Sequence, residues 1–158
     1  MAFARLLGWG SIPLLILIPF CLFLGTAAGV GGYTFYYAEG ASYLSNDPQA
    51  CNNCHIMNDQ YDAWRKGSHH AVATCNDCHA PHDNLAHKLF VKGVNGFNHS
   101  FAFTTGRYED NLSITDFNHA VTEQSCRHCH EQVTHQIEHP AGFEQMSCIR
   151  CHSEVGHH

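Results

Sequence analysis

The feature that most constrains this chain is a five-residue pattern, Cys-x-x-Cys-His, which occurs four times in 158 residues. Two thiols three residues apart can each add to one of the two vinyl groups of a porphyrin, and the His that follows can bind the iron. The pattern therefore predicts four covalently attached haem c groups. Their attachment residues are Cys51, Cys54, Cys75, Cys78, Cys126, Cys129, Cys148 and Cys151.

Other uses of these cysteines explain the pattern less well. The chain has 9 Cys, and the motifs use all except Cys21, which lies in an apolar run and is expected to pack as a small hydrophobe. A disulfide framework gives no reason for a His after every second Cys. Structural zinc does not require His at the same offset four times. A thioredoxin-like redox motif would occur once, beside a βαβ pattern that this sequence lacks.

The composition argues against two functional classes. The formal charge is −6 before the haem propionates are counted, which argues against a nucleic-acid partner because phosphate binding needs a basic surface. The chain also has only 8 Lys and Arg residues. Since a terminal reductase for an anion such as nitrite needs convergent basic groups around its substrate, we expect no terminal reductase activity from this chain alone.

The N-terminal region is predicted to be a membrane anchor. Residues 6–38 contain no charged side chain, which is long enough for a span, and the aromatic residues at 33 and 35–37 are typical of an interface. A cleaved signal peptide is the alternative, because Arg5, the apolar core and residues 26–28 resemble its three regions. The apolar stretch continues beyond residue 28, so we expect an uncleaved anchor. The positive-inside rule places the end that carries Arg5 in the cytoplasm.

The sequence thus predicts two regions, an anchor at 1–38 and a haem domain at 39–158. About 120 residues around four haems leave little room for an apolar core, so the porphyrins must largely form it. We predict a mostly α-helical and irregular fold, with short helices carrying the motifs, long loops and almost no sheet. The motif starts are separated by 24, 51 and 22 residues, which suggests two haem pairs.

The axial ligands of the irons follow in part from the motifs. His79, His130 and His152 are the expected proximal ligands of haems 2, 3 and 4, counted in motif order. In the first motif, Met57 lies two residues beyond His55 and offers a thioether, although spacing alone favours His55. Among the 15 His residues, His119 and His139 lie seven and nine residues before the third and fourth motifs and could reach a nearby ring.

A single anchor, four motifs with these separations and a first motif extended to Met57 resemble the NapC/NirT family of membrane-anchored tetrahaem quinol dehydrogenases. Residues 75–82 and 88–92 strengthen the resemblance, and the short length is most similar to members that form the small subunit of cytochrome c nitrite reductase. It implies a single-pass protein of the inner membrane, with a periplasmic haem domain, that oxidises menaquinol. Its electrons would go to a multihaem reductase that converts nitrite to ammonia, or alternatively to other periplasmic reductases.

The resemblance also implies a set of ligands. In such small subunits the Met of the first motif binds haem 1, which here is Met57 rather than His55. The family's distal ligands correspond to His70 for haem 3 and His157 for haem 4. A Lys of the catalytic partner would complete haem 2, and the complex could bring two copies of the chain together.

The family's quinol site uses a Lys and an acidic residue in the segment after the second motif. Lys92 matches this Lys, with Lys88 as the alternative. The acidic position falls on or near His99, with Asn95 as the other polar candidate, because residues 84–108 contain no Asp or Glu. A His can accept a quinol proton, since its ordinary pKa is near neutrality. Equally, His99 could be a distal haem ligand.

Overall fold

The computed structural model describes residues 13–108, 112–137 and 146–157. Every regular element in these residues is an α- or 3-10 helix, and they contain no strand. The mostly helical fold expected from the sequence is therefore confirmed. The chain divides into two compact units, Met1–Ala41 and Ser42–His158, which we describe separately.

The first unit contains one long apolar helix, α1 (Leu14–Tyr37). At about 1.5 Å per residue, its 24 residues span about 36 Å, enough to cross the hydrocarbon core of a bilayer. None of its side chains is buried within the protein. Pro19 lies inside the helix but close to its start, where few backbone hydrogen bonds are lost. Length and composition are those of a membrane span.

The second unit consists of short helices joined by loops. Its α-helices are α2 (Pro48–Asn52), α3 (Asn58–Lys66), α4 (Cys75–His79), α5 (Leu85–Thr105), α6 (Asp116–Cys129), α7 (Glu131–Ile137) and α8 (Cys148–Cys151). Two 3-10 helices, Gly40–Leu44 and His55–Met57, flank α2. Capping side chains fix several starts, because Asp47 accepts from the backbone N–H of Gln49 and Asn84 from that of His87.

The four helices that carry Cys-x-x-Cys motifs touch one another in chain order. Helix α2 contacts α4, α4 contacts α6, and α6 contacts α8. The most extensive of these contacts joins α4 and α6, which carry the second and third motifs. The motif spacing suggested two pairs joined by a longer segment, but that segment contains the 21-residue helix α5 and brings the middle motifs together. Helix α5 ends at Gly106, whose φ of 65° is the left-handed conformation that suits glycine.

The polypeptide contributes little core of its own. Among the described residues, the buried hydrophobic side chains are Ala80, Val91 and Val121. They lie in or next to α4, α5 and α6, where Ser125 is also buried and donates a hydrogen bond to the Val121 carbonyl. Large apolar side chains such as Phe97 remain 70 % exposed. This distribution fits a domain whose interior is completed by bound porphyrins.

Candidate haem and quinol sites

Three of the four motifs share one backbone geometry. In the second motif α4 runs from Cys75 through His79. In the third and fourth, the backbone N–H groups of His130 and His152 donate to the carbonyls of Cys126 and Cys148, both at 2.9 Å. Each motif His therefore follows its cysteines in helical register. This common geometry suits the three residues predicted to be proximal ligands.

The first motif is built differently. Helix α2 ends at Asn52, and Cys54 has an extended backbone with φ −95° and ψ 120°. The next three residues form the 3-10 helix His55–Met57, in which the Met57 N–H donates to the Cys54 carbonyl at 2.9 Å. His55 is exposed, whereas Met57 is half-buried. The break in helical register means that His55 does not occupy the position that the motif His takes in the other three copies.

Two pairs of imidazoles have ring centres separated by a distance that an iron could bridge. The ring centres of His79 and His157 are 5.9 Å apart with an interplanar angle of 11°, and those of His69 and His130 are 6.1 Å apart at 79°. With a metal–nitrogen bond of about 2 Å on each side, two imidazoles on opposite faces of one metal have centres about 6 Å apart. The residues present therefore fit haem iron at these two positions.

His69 also has the hydrogen bond that a ligand histidine commonly makes. Its Nδ1 lies 3.2 Å from the carbonyl oxygen of Val155, which leaves Nε2 for a metal. His70, the residue implied by the family resemblance, instead packs edge-on against Trp64, with ring centres 4.8 Å apart. The structure thus brings His69, and not His70, to His130. Two adjacent histidines could not be distinguished by spacing alone.

The remaining candidate ligands do not lie in such histidine pairs within the described residues. His152 is exposed and, within the described part of the chain, has no imidazole facing it. His157, which the resemblance assigned to the same haem, lies beside His79 instead. His119 lies 3.5 Å from the Ser147 hydroxyl and 3.9 Å from the carboxylate of Glu123. His139 lies outside the described residues.

Helix α6 clamps the start of the fourth motif. The Glu123 carboxylate accepts hydrogen bonds from the Ser147 hydroxyl at 2.6 Å and from the backbone N–H groups of Cys148 and Ile149 at 2.9 and 3.0 Å. Arg127 donates to the Met146 carbonyl at 2.7 Å. Burial raises the pKa of Glu123, but the three donors outweigh it and lower that pKa to about 2. The sequence analysis did not predict these hydrogen bonds. The one local indication in the sequence is the i, i+4 spacing of Glu123 and Arg127.

Neighbouring motifs also approach through their cysteines. The side chains of Cys51 and Cys75, in the first and second motifs, lie close enough to interact. Between the third and fourth motifs, Arg127 Nη1 lies 3.7 Å from the Cys148 sulfur. The first and second motifs, and the third and fourth, are therefore adjacent at their cysteines.

Three of the four candidate quinol residues, Lys92, Asn95 and His99, have side-chain hydrogen bonds within the protein. Lys92 is 9 % exposed, and its Nζ donates to the carbonyls of Leu44 and Ser45 at 3.4 and 2.9 Å and to Asn46 Oδ1 at 3.0 Å. These acceptors belong to the loop that precedes the first motif. Burial, and then the charge of Lys88, lower the pKa of Lys92. Through these hydrogen bonds Lys92 ties helix α5 to the loop, which gives it a structural role.

The side chain of Asn95 is also hydrogen-bonded within the protein. Its side-chain amide exchanges two hydrogen bonds with that of Asn118, at 2.9 and 3.1 Å, and so ties α5 to α6. Lys88 is half-buried on the same helix. The amide pair gives Asn95 a structural role that needs no bound quinol.

His99 presents an exposed ring with one defined partner. Its Nδ1 lies 3.0 Å from the hydroxyl of Tyr43, a residue that sequence reasoning did not single out. Burial, and then the nearby thiols of Cys54 and Cys51, raise the pKa of Tyr43 to about 12. The Tyr43–His99 pair therefore lies close to the first motif.

Comparison with known proteins agrees with the haem-attachment interpretation. The NapC/NirT cytochrome c family, N-terminal region, matches residues 15–158. The chain is 36% identical over 141 residues to the cytochrome c-type protein NrfH of Wolinella succinogenes, covering 83% of this chain and 80% of that protein. It is 35% identical over 100 residues to the cytochrome c nitrite reductase subunit NrfH of Nitratidesulfovibrio vulgaris, covering 63% and 61%. It also superposes on a chain of the cytochrome c nitrite reductase NrfHA complex bound to the inhibitor HQNO, with TM-score 0.60, 28% identity and coverage of 85% and 88%.

Proposed function

Because the chain belongs to the NapC/NirT cytochrome c family, we propose that it is a membrane-anchored quinol dehydrogenase that supplies electrons to a nitrite reductase. One relative is named as a cytochrome c nitrite reductase subunit, and the similar solved structure is a cytochrome c nitrite reductase complex. The structural observation that carries the proposal is the contact of the four motif helices in the order α2, α4, α6, α8. A relay of one-electron carriers requires this adjacency.

Haem c, when bound, supplies the one-electron chemistry, and the chain supplies attachment and ligands. The facing imidazoles support His79 with His157 for the second haem and His69 with His130 for the third. The distinct backbone of the first motif supports Met57 as the ligand of the first haem. For the fourth haem, His152 needs a second ligand from His139 or from the catalytic partner. On this assignment the second haem needs no lysine from the partner.

The remaining residues bind and orient the quinol, which we take to be menaquinol. Oxidation of a quinol releases two protons and two electrons, so a proton acceptor must lie at the site. His99 suits this role because its side chain is accessible, and partial desolvation of the ring lowers the pKa of His99 and so favours the neutral imidazole that can accept a proton. Lys92 contributes by holding the loop before the first motif.

The cellular placement follows from the anchor. Helix α1 suits a single pass through the inner membrane, with the N-terminus in the cytoplasm and the haem domain in the periplasm. A multihaem nitrite reductase, which converts nitrite to ammonia, is the proposed partner, and the complex could contain two copies of this chain. Lipid and menaquinol are the other partners.

Anaerobic reduction of the purified protein in detergent tests this function. The haem content should be four per chain, and a soluble menaquinol analogue should reduce most of the haem that dithionite reduces. Reduction by dithionite but not by the quinol would exclude quinol dehydrogenase activity. Stable co-purification with a nitrite reductase would distinguish a dedicated subunit from a general electron carrier.

A further inference from the structure

The segment before the first motif contacts helix α5. This contact brings together two side chains, Tyr43 and His99, that are 56 residues apart in the sequence. The hydroxyl of Tyr43 lies 3.0 Å from Nδ1 of His99, and the two ring centres are 6.1 Å apart. Tyr43 belongs to the 3-10 helix Gly40–Leu44, which leads into the first haem motif. The pair therefore joins the candidate proton acceptor to the segment that carries the first haem.

Several contacts hold Tyr43 in this position. Its ring lies over Gly96, where an added Cβ would be 3.4 Å from Cδ1 of Tyr43. Gly96 precedes His99 by three residues and therefore shares its helix face. The adjoining loop is anchored to the same helix by Lys92, which donates to the Ser45 carbonyl at 2.9 Å. The tyrosine side chain, which is 36 % exposed, rests on Gly96, and its hydroxyl bonds His99.

We propose that Tyr43 is a positioning residue for quinol oxidation, which orients His99 so that its Nε2 accepts a hydrogen bond and then a proton from the quinol. This inference rests on the proposed quinol dehydrogenase function. It assigns the His99 tautomer in which Nδ1–H donates to the Tyr43 oxygen and Nε2 is unprotonated.

The proton transfer balances without further groups. A quinol O–H bond breaks and an N–H bond forms at Nε2 of His99, which becomes imidazolium and passes the proton to water. The second quinol proton follows the same route after His99 is deprotonated. The two electrons reduce two ferric haem c groups, which the proposed function already supplies.

Tyr43→Phe is the decisive variant, because it removes the hydroxyl and keeps the ring that packs on Gly96. Tyr108→Phe is the matched control, since Tyr108 is 49 % exposed and lies outside the site. We expect Tyr43→Phe to slow haem reduction by a menaquinol analogue by roughly tenfold, as the loss of an orienting hydrogen bond would do. Reduction by dithionite and the haem content should not change.

A binding measurement provides a readout that is independent of turnover. The chain resembles a chain of a complex bound to the inhibitor HQNO, so the quenching of HQNO fluorescence is the probe. We expect Tyr43→Phe to weaken HQNO binding by about threefold or more, because His99 loses its fixed orientation. HQNO affinity and quinol-driven reduction that both equal those of the wild-type protein would overturn the inference.

A double-mutant cycle separates positioning from general disruption. A carboxylate at position 99 has two equivalent acceptor oxygens and does not need Tyr43 to select its tautomer. Tyr43→Phe should therefore have little effect in a His99→Asp background, and equal effects in both backgrounds would contradict the proposal. If Tyr43→Phe fails to acquire haem, His99→Gln decides, because it leaves the packing of Tyr43 on Gly96 intact and removes the proton acceptor. It should slow quinol-driven haem reduction by more than about tenfold, and unchanged reduction would overturn the inference. A wild-type protein that no quinol reduces would instead refute the proposed function.

Discussion

The Glu123 carboxylate offers a quantitative test of how the third motif helix holds the fourth motif. Glu123→Gln replaces an anion that accepts three hydrogen bonds, from Ser147, Cys148 and Ile149, while its side chain is only 13 % exposed. A hydrogen bond to a charged group contributes about 1.5–3 kcal/mol. The pKa, lowered from 4.5 to about 2, sets an upper limit of about 3 kcal/mol at 1.36 kcal/mol per pKa unit. We therefore expect a loss of about 2–3 kcal/mol.

The assay is denaturant unfolding of the haem-loaded protein in detergent at pH 7, together with amide exchange of the fourth-motif peptide. Glu123→Gln should lower the unfolding midpoint and speed exchange at Cys148 and Ile149. The control is Glu131→Gln, an exposed carboxylate in the first turn of α7, which should cost less than about 1 kcal/mol. Unchanged exchange at both amides would refute the clamp.

The same carboxylate predicts a pH dependence with a defined sign. Its pKa is depressed in the folded state, so its contribution is complete above the unfolded value of 4.5. The contribution is lost as the pH falls from 4.5 toward about 2. The difference in stability between wild type and Glu123→Gln should therefore shrink over this range, and a constant difference would contradict the assignment.

Three further substitutions test other parts of the account. His69→Ala should convert one low-spin haem to high spin in electron paramagnetic resonance spectra, whereas His70→Ala should not, and the reverse result would restore the ligand implied by the family resemblance. Met57→Ala should change the spectrum and potential of one haem while His55→Ala leaves them nearly unaltered, since only Met57 is proposed to bind iron. Lys92→Met should increase proteolytic cleavage in residues 44–46 by removing the hydrogen bonds that brace this loop, and equal cleavage rates would refute the bracing role.

Much of this molecule could be predicted because covalent haem attachment imposes a strict local pattern. The eight motif cysteines, the helical character and the small polypeptide core all follow from four copies of one motif in a short chain. The apolar helix α1 could also be predicted, because a run without charges long enough for a bilayer is a one-dimensional signal. Both features depend on neighbouring residues alone.

The pairing of distant residues could not be predicted, because it depends on how α5 returns the chain. Spacing could not choose between His69 and His70, which differ by one position but face different surroundings. Nor could it identify Tyr43, whose partner lies 56 residues away. Lys92 matched a family position, yet only its three acceptors in the folded chain revealed the bracing role.

The central claim is that this chain carries electrons from a membrane quinol to nitrite reductase. The most direct measurement is ammonium formation from nitrite in liposomes that contain the chain, a purified multihaem nitrite reductase and menaquinol kept reduced. The account predicts sustained ammonium formation that stops when the chain is omitted and is inhibited by HQNO. Equal rates with and without the chain, while dithionite still drives the reductase, would contradict it.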